Sequence, residues 1–303
     1  MSNSGKIIIA NENKKDSIRM LGAQKELYSQ AKNLASIQTI IAVPVPIAIS
    51  VASILFKTTF EQINILFVLY ALTASIAEIL LEYFIKDLKK KAALIQEDFD
   101  HHVLGIRWNH TLAPEKPDSG MIYRLYKKHI KNNDTSVLQN WYSVEIKKVP
   151  TNLATIICQR TNCTYDFALK RRYTNAIFIT VVLSFFVLLF ASIYNNLSIR
   201  SFLTNVLAPS LPIFIWGAKR ILANNDSIKN LAELKRLIEG ILSNSRMDSV
   251  VDESIIRQIQ DKIYLNRTLS QFLPDCLFRV LRNSLESEMH FTAEQKVKEL
   301  KAI

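Results

Sequence analysis

Glycine is scarce in this chain, and its scarcity excludes a good deal of chemistry. The 303 residues include six glycines, at positions 5, 22, 105, 120, 217 and 240. Glycines so far apart can write neither a phosphate-cradling Walker loop nor a Gly-x-Gly-x-x-Gly dinucleotide fingerprint. His-Glu-x-x-His and Gly-x-Ser-x-Gly are absent too, so no catalytic residue is nominated and neither enzyme activity nor a cofactor is expected. Alternating apolar and polar runs are few, which argues against a sheet-rich fold. The three cysteines, Cys158, Cys163 and Cys276, are too few for a disulfide framework and suit a reducing compartment. The polar amino terminus, with no small-residue cleavage site after the first apolar block, leads us to expect no signal peptide.

What is present is long hydrophobic runs. Four apolar stretches lie in two pairs, at residues 37–56, 63–85, 176–194 and 202–218. A bilayer core ~30 Å thick needs about 20 predominantly apolar helical residues. The first three stretches suffice. The fourth is shorter and holds Pro209 and Pro212, but its partner and its basic stop at Lys219 and Arg220 favour spanning. Of 38 lysines and arginines, only Lys57 and Arg200 fall in the loops within the pairs. Positive charge beside the spans marks the cytoplasmic side. The expected fold is an all-α membrane protein: four transmembrane helices in two hairpins, plus a helical cytosolic domain built from the middle loop and the carboxy-terminal tail. The expected divisions are 1–36 (cytosolic amphipathic helix), 37–85 (first hairpin), 86–175 (cytosolic insertion), 176–218 (second hairpin) and 219–303 (cytosolic helices). Both termini face the cytosol. A formal charge of +11 fits this topology and an anionic lipid surface, so charge does not nominate a DNA or RNA binder.

Local signals fill in the polar segments. Residues 18–35 carry Ile18, Leu21, Leu27, Ala31 and Leu34 on one side, as either a membrane-surface helix or a plain packing helix. The second span continues to about Asp100. Asp118 caps a helix to about Ile130, and Pro150 opens another that runs into the third span. Residues 227–243 and 254–269 each repeat a helical apolar spacing. A capping box, Thr292 with Gln295, opens a last helix.

Candidate sites are of two kinds. On the second span, Asn64, Ala71, Ser75, Glu78 and Glu82 share a stripe; ionisable groups there line a bundle interior or a water path, or else Glu78 and Glu82 snorkel at the rim. Prolines 44, 46, 209 and 212 loosen the first and fourth spans. In the cytosolic insertion, Gln159, Arg160, Asn162 and Tyr165 continue to Arg171 and Arg172, with Trp108 and Trp141 elsewhere in the insertion. Arg contacts phosphate bidentately and aromatics stack on bases, so this set suits a nucleotide; a buried polar network explains it equally. Glu97, Asp98, Asp100, His101 and His102 have ligand-like spacing, but a solvated helix end accounts for them and no metal is expected.

The chain also resembles the SMODS-associating four-transmembrane effectors of bacterial anti-phage systems. Carrying the resemblance are Leu21-Gly-Ala-Gln-Lys-Glu-Leu-Tyr28, Ile95-Gln-Glu-Asp-Phe-Asp100, Trp108-Asn109, Asn140-Trp141-Tyr142, Ile157-Cys-Gln-Arg-Thr-Asn162 with Tyr165-Asp166, and Leu273-Pro-Asp-Cys-Leu-Phe278 with Glu286-Ser-Glu288-Met289. It implies an effector encoded beside a cyclic-oligonucleotide synthase: the cyclic nucleotide binds, copies assemble into a homo-oligomer, and the membrane is breached. Cys163-Thr164-Tyr165 departs from the aromatic-rich stretch expected there, which leaves the role of Tyr165 open. Two other readings of the residues stand beside it, a small ion channel or transporter gated otherwise, and a receptor or scaffold for a protein partner.

Overall fold

The computed structural model describes residues 4–56, 61–269 and 275–302; within helices, side chains at 50, 52–56, 61–68, 71, 205, 209, 275–283 and 302 lie outside the description. The helices are α1 Lys6–Glu12, α2 Lys15–Ala42, α3 Pro44–Phe56, α4 Glu61–Leu104, α5 Ser119–His129, α6 Thr151–Tyr194, α7 Ile199–Phe202, α8 Ala208–Ser243, α9 Glu253–Leu269 and α10 Asp275–Ala302. No β-strand occurs among the described residues. An isolated bridge between Ser4 and Pro150 ties the amino terminus to the start of α6.

Two helices set the frame. α4 and α6 run 44 residues each, and neither contains glycine or proline. At 1.5 Å per residue each is about 66 Å long, more than twice a bilayer core. Their starts and stops follow local chemistry. Gly105, at φ +69°, takes the left-handed conformation just past the end of α4. The Asp118 carboxylate accepts from the Met121 amide at 2.6 Å and caps α5. Pro150 precedes α6.

α2 lies along α4, and α6 lies along α8, while α5 packs on α2 and α9 on α4. Close approach depends on two glycines. A Cβ on Gly22 would lie 2.6 Å from Tyr126 Cδ2, and one on Gly217 would lie 2.4 Å from Val181 Cγ2. The main core gathers Ile8, Leu27, Ile95, Phe99, Val103, Leu153, Ile156, Leu231, Leu234, Ile238, Ile259 and Val297 from helices distant in sequence.

The two halves of α4 and α6 differ in what they expose. Ile79 of α4 is 72% exposed, and Tyr194 of α6 is 86% exposed. Leu69, Leu72, Ile76, Leu80, Tyr83 and Phe84 of α4 are also exposed, as are Ile179, Leu183, Val187 and Phe190 of α6. An exposed apolar belt of this extent marks a surface made to meet a membrane or another protein. Residues Lys15–Ile49 and Thr151–Tyr194 each contain a stretch long and apolar enough to cross a membrane.

Several expectations change. The amino-terminal segment does not lie apart as a surface helix: α2 buries Ile18, Leu21, Gly22, Ala23 and Leu27 beside α4 and α5 and continues to Ala42. It ends where Pro44 supplies no amide hydrogen, and α3 starts afresh. Residues 227–243 are not a separate helix but the end of α8, because nothing after Pro212 interrupts it. Likewise α10 runs without a break through position 292. Thr292 Oγ1 donates back to the Met289 carbonyl at 3.1 Å instead of capping a new helix. Pro212 sits inside α8, and a π-helical turn, Leu203–Leu207, precedes that helix.

Candidate functional site

The polar half is held by a buried ionic network that sequence reasoning did not assemble. Glu97 and Asp100 share one face of α4, three residues apart. Opposite them on α9, Arg257, Gln260 and Arg267 recur at helical spacing. Arg257 Nη2 reaches Glu97 Oε1 at 2.7 Å, and Arg267 Nη1 reaches Asp100 Oδ2 at 2.5 Å. Gln260 Nε2 donates to both carboxylates, at 2.9 and 2.8 Å. Asp261 accepts from Arg257 and from Asn109 Nδ2. Burial, then the neighbouring Asp100 charge, raises the Glu97 pKa despite Arg257. Burial alone would lower the Arg267 pKa, and the Asp100 carboxylate more than reverses that. Of the carboxylates weighed as metal ligands, Glu97 and Asp100 are therefore engaged by arginine and glutamine, while Asp98 lies 3.3 Å from His102 and 3.8 Å from Lys116. No group of metal-binding character occurs among the described residues.

The nucleotide candidates are spread around α6 rather than gathered. Gln159, fully buried, donates to the Ile256 carbonyl at 2.9 Å and to Gln260 at 3.2 Å, facing α9. Arg160 faces α8, where its Nε donates to Glu239 Oε1 at 2.6 Å; Lys296 of α10 reaches the other oxygen at 3.0 Å. Burial works against the Glu239 carboxylate, but bonds from Lys296 and Arg160 outweigh it and lower its pKa. One guanidinium nitrogen of Arg160, Nη1, is buried without a hydrogen-bond acceptor. Asn162 donates to the Tyr142 hydroxyl at 3.2 Å, and Trp141 meets Tyr165 edge-on at 6.0 Å between centroids. Trp108 belongs to another cluster: its Nε1 donates to the Ala113 carbonyl at 2.8 Å, and Lys116 lies over its ring. Arg171 and Arg172 are exposed, the latter 3.7 Å from Glu288. Cys158 and Cys163 are buried, and burial pushes both thiols up.

On the second apolar stretch, Glu78 pairs with Lys219 of α8 at 2.9 Å. Glu82 accepts from Gln38 of α2 at 3.5 Å and lies 3.6 Å from Lys86. Ser75 is exposed on the same helix, and the side chain of Asn64 lies outside the described residues. Glu78 and Glu82 thus occupy the seam between the α2/α4 pair and the α6/α8 pair.

Long helices, half clothed in exposed apolar side chains and half buried around ionised ones, define a helical membrane protein. A family described as the SMODS-associating 4TM effector domain matches residues 6–296, and the chain belongs to that family. It is similar to a protein of Bacillus cereus (strain VD146) described as a probable CBASS effector molecule: 26% identity over 291 residues, covering 93% of this chain and 95% of that protein. No solved structure matches.

Proposed function

We propose that this chain is an anti-phage defence effector of the bacterial inner membrane. It crosses the bilayer four times, binds a cyclic oligonucleotide through its cytosolic half, assembles with further copies and permeabilises the membrane. It acts by binding and carries out no catalysis. Family membership and the name of the Bacillus relative support the defence role. The observation that carries the mechanism is the continuity of α4 and α6, each running unbroken from the exposed apolar belt into the buried ionic core. A change in helix packing at one end is transmitted to the other by a rigid rod.

Arg160 is the lead contact for the nucleotide. In the ligand-free arrangement Glu239 occupies the place of a phosphate between Arg160 and Lys296. A phosphodiester that displaces Glu239 unfastens α8 from α6 and α10. Trp141 and Tyr165 offer faces for a base, with Asn162 beside them to read its edge. A four-helix protomer is too small to enclose a wide aqueous path, since helices pack 8–10 Å apart, so conduction requires several copies, with the Ser75, Glu78 and Glu82 stripe facing the path. The ligand shifts this equilibrium only by its differential affinity for the two states.

Dye release from liposomes holding the purified protein, screened against cyclic di- and trinucleotides, tests the whole reading. A membrane that stays tight under every nucleotide rejects it. In calorimetric titration Arg160→Ala should weaken binding roughly tenfold to a hundredfold, the worth of a charge-assisted bond. Glu239→Gln, which frees Arg160, should not weaken it. Cysteine labelling in intact cells should reach a probe at Asn196 and miss one at Ser119.

A further inference from the structure

Between the apolar belt and the ionic core lies a polar layer, tied to α9 where Lys170 donates to Ser227 and Ser227 to Asn266, each at 2.6 Å. The buried stripe of α8 reads Ile213, Trp216, Arg220, Asn224, Ser227, Leu231 and Leu234, at spacings of three and four. It is apolar at both ends and polar in the middle. The other helices match it at that level: Gln38 on α2, Lys89 on α4, Lys170 and Thr174 on α6, all buried. Three cations, Lys89, Lys170 and Arg220, are each no more than 5% exposed. They lie close enough that the charges of Lys170 and Arg220 act on Lys89. The carboxylates acting on them, Glu82 and Asp166, are only partly buried. Burial pulls both lysines down to about 8.

Some polar groups of this layer have no partner. Asn224 is 0% exposed, and neither its amide nitrogen nor its amide oxygen makes a hydrogen bond; Thr174 Oγ1 and Trp216 Nε1 are likewise buried and unpartnered. Leaving such groups buried and unsatisfied destabilises the fold. A helix that needed only packing there would carry leucine at position 224.

We infer that this layer is a binding site for a phosphodiester anion, entering along the seam between the α2/α4 and α6/α8 pairs. A phosphodiester brings one negative charge and two acceptor oxygens to three cations, an amide and a hydroxyl. Arg220 supplies the planar fork that suits phosphate, and its Nη2 is already held toward the seam by Gln38 at 2.6 Å. The depth also fits. Lys89 lies five residues beyond Phe84, where exposed apolar side chains end on α4, and Lys170 lies eight before Phe178, where they begin on α6. At 1.5 Å per residue these offsets are about 7 and 12 Å, at or just below the headgroup zone. The phosphodiester is either that of an inner-leaflet phospholipid or that of a cyclic oligonucleotide. The lipid source rests on the membrane placement proposed above; the nucleotide source does not.

The test is thermal unfolding of the full chain in detergent micelles, with phosphatidylglycerol added, with diacylglycerol as the tail-only control, and with each cyclic di- and trinucleotide. Phosphatidylglycerol or a cyclic nucleotide should raise the parent midpoint by roughly 3–8 °C at saturation, and diacylglycerol should not. Lys170→Met should abolish a rise due to phosphatidylglycerol and diminish one due to nucleotide, leaving only what Arg160 contributes. The ligand whose rise is diminished by Lys170→Met identifies the source. Asn224→Leu should raise the ligand-free midpoint and shrink the rise; a purely structural Asn224 would move only the former. The inference falls if no phosphodiester raises the parent midpoint, if diacylglycerol does as well as phosphatidylglycerol, or if both variants keep the full rise. A parent that releases dye with nucleotide, and whose nucleotide-induced rise survives Lys170→Met in full but is lost in Arg160→Ala, would sink this site and leave the proposed function standing.

Discussion

The two halves of α6 invert each other. From Leu153 to Asn162 the helix buries nearly every side chain, Gln159 and Arg160 included. From Phe178 to Tyr194 it exposes most of its aromatic and aliphatic ones. One backbone serves both, so the difference is one of surroundings. The buried half pairs charges because water is excluded from it; the exposed half holds together by close backbone approach, as where Gly217 meets Val181. Hydrophobic burial drives packing in water, but lipid tails are as apolar as leucine, and small residues take over. The polar half should therefore answer to changes of charge, and the membrane half to changes of volume.

The sharpest way to break that contrast is Arg267→Met. It strands Asp100 in a buried site, and removing one partner of such a pair typically costs ~3–5 kcal/mol. Restoring balance with Asp100→Asn in the same chain should recover most of it in denaturant titrations. If the double variant is no better, the pair is not coupled and the contrast fails on its polar side.

A pH test follows from Glu12, buried at the end of α1, where the Tyr142 amide donates to its carboxylate at 3.0 Å. Burial raises its pKa from 4.5 to about 7, against the pull of the Tyr142 and Trp141 amides and of Lys147. The folded state then holds a proton that the unfolded chain gives up. Glu12's own contribution to stability is fully present below pH 4.5 and is lost as pH climbs to 7, by up to about 3 kcal/mol at ~1.4 kcal/mol per unit. Glu12→Gln should remove that decline; an unchanged pH profile would mean that Glu12 does not carry it.

On the membrane side, Gly217→Leu should cost about 1–3 kcal/mol by overpacking, with partial rescue from Val181→Ala. No loss would show α6 and α8 to be looser than drawn. The smallest effect belongs to Glu78→Gln. Its partner Lys219 is 64% exposed, and such a pair contributes ~0–1 kcal/mol, so stability should barely move. Ion selectivity in planar bilayers should change if Glu78 faces the path, and unaltered currents would assign it to the rim.

Much of the helical layout was legible from local chemistry. Asp118, Pro150 and the run from 254 to 269 signalled helices that form. The continuity of α8 and α10 was hidden, because a change from apolar to polar composition looks like a boundary. The backbone makes no such distinction: α8 runs on through Gly217 at that boundary, and α10 meets neither glycine nor proline. The site was harder to read for a geometric reason. Consecutive helical positions turn about 100° apart, so Gln159 faces α9, Arg160 faces α8 and Asn162 faces the loop at Tyr142. What converges is spacing by three and four: Glu97 with Asp100, and Arg257 with Gln260 and Arg267. Those matching charged stripes, lying in sequence about 160 residues apart, were the signal to look for.

That separation sets a clock. Glu97 and Asp100 leave the ribosome 160 and 167 residues ahead of Arg257 and Arg267. At 5–20 residues per second, they wait roughly 8–30 s for their countercharges. Throughout that interval α4 carries two carboxylates with no arginine of α9 to receive them, so the core cannot close. A nascent or truncated chain ending before Arg257 offers only an open, incompletely neutralised half. The last partners of the ionic core therefore arrive only near the end of translation, and the polar half closes as a late, single event.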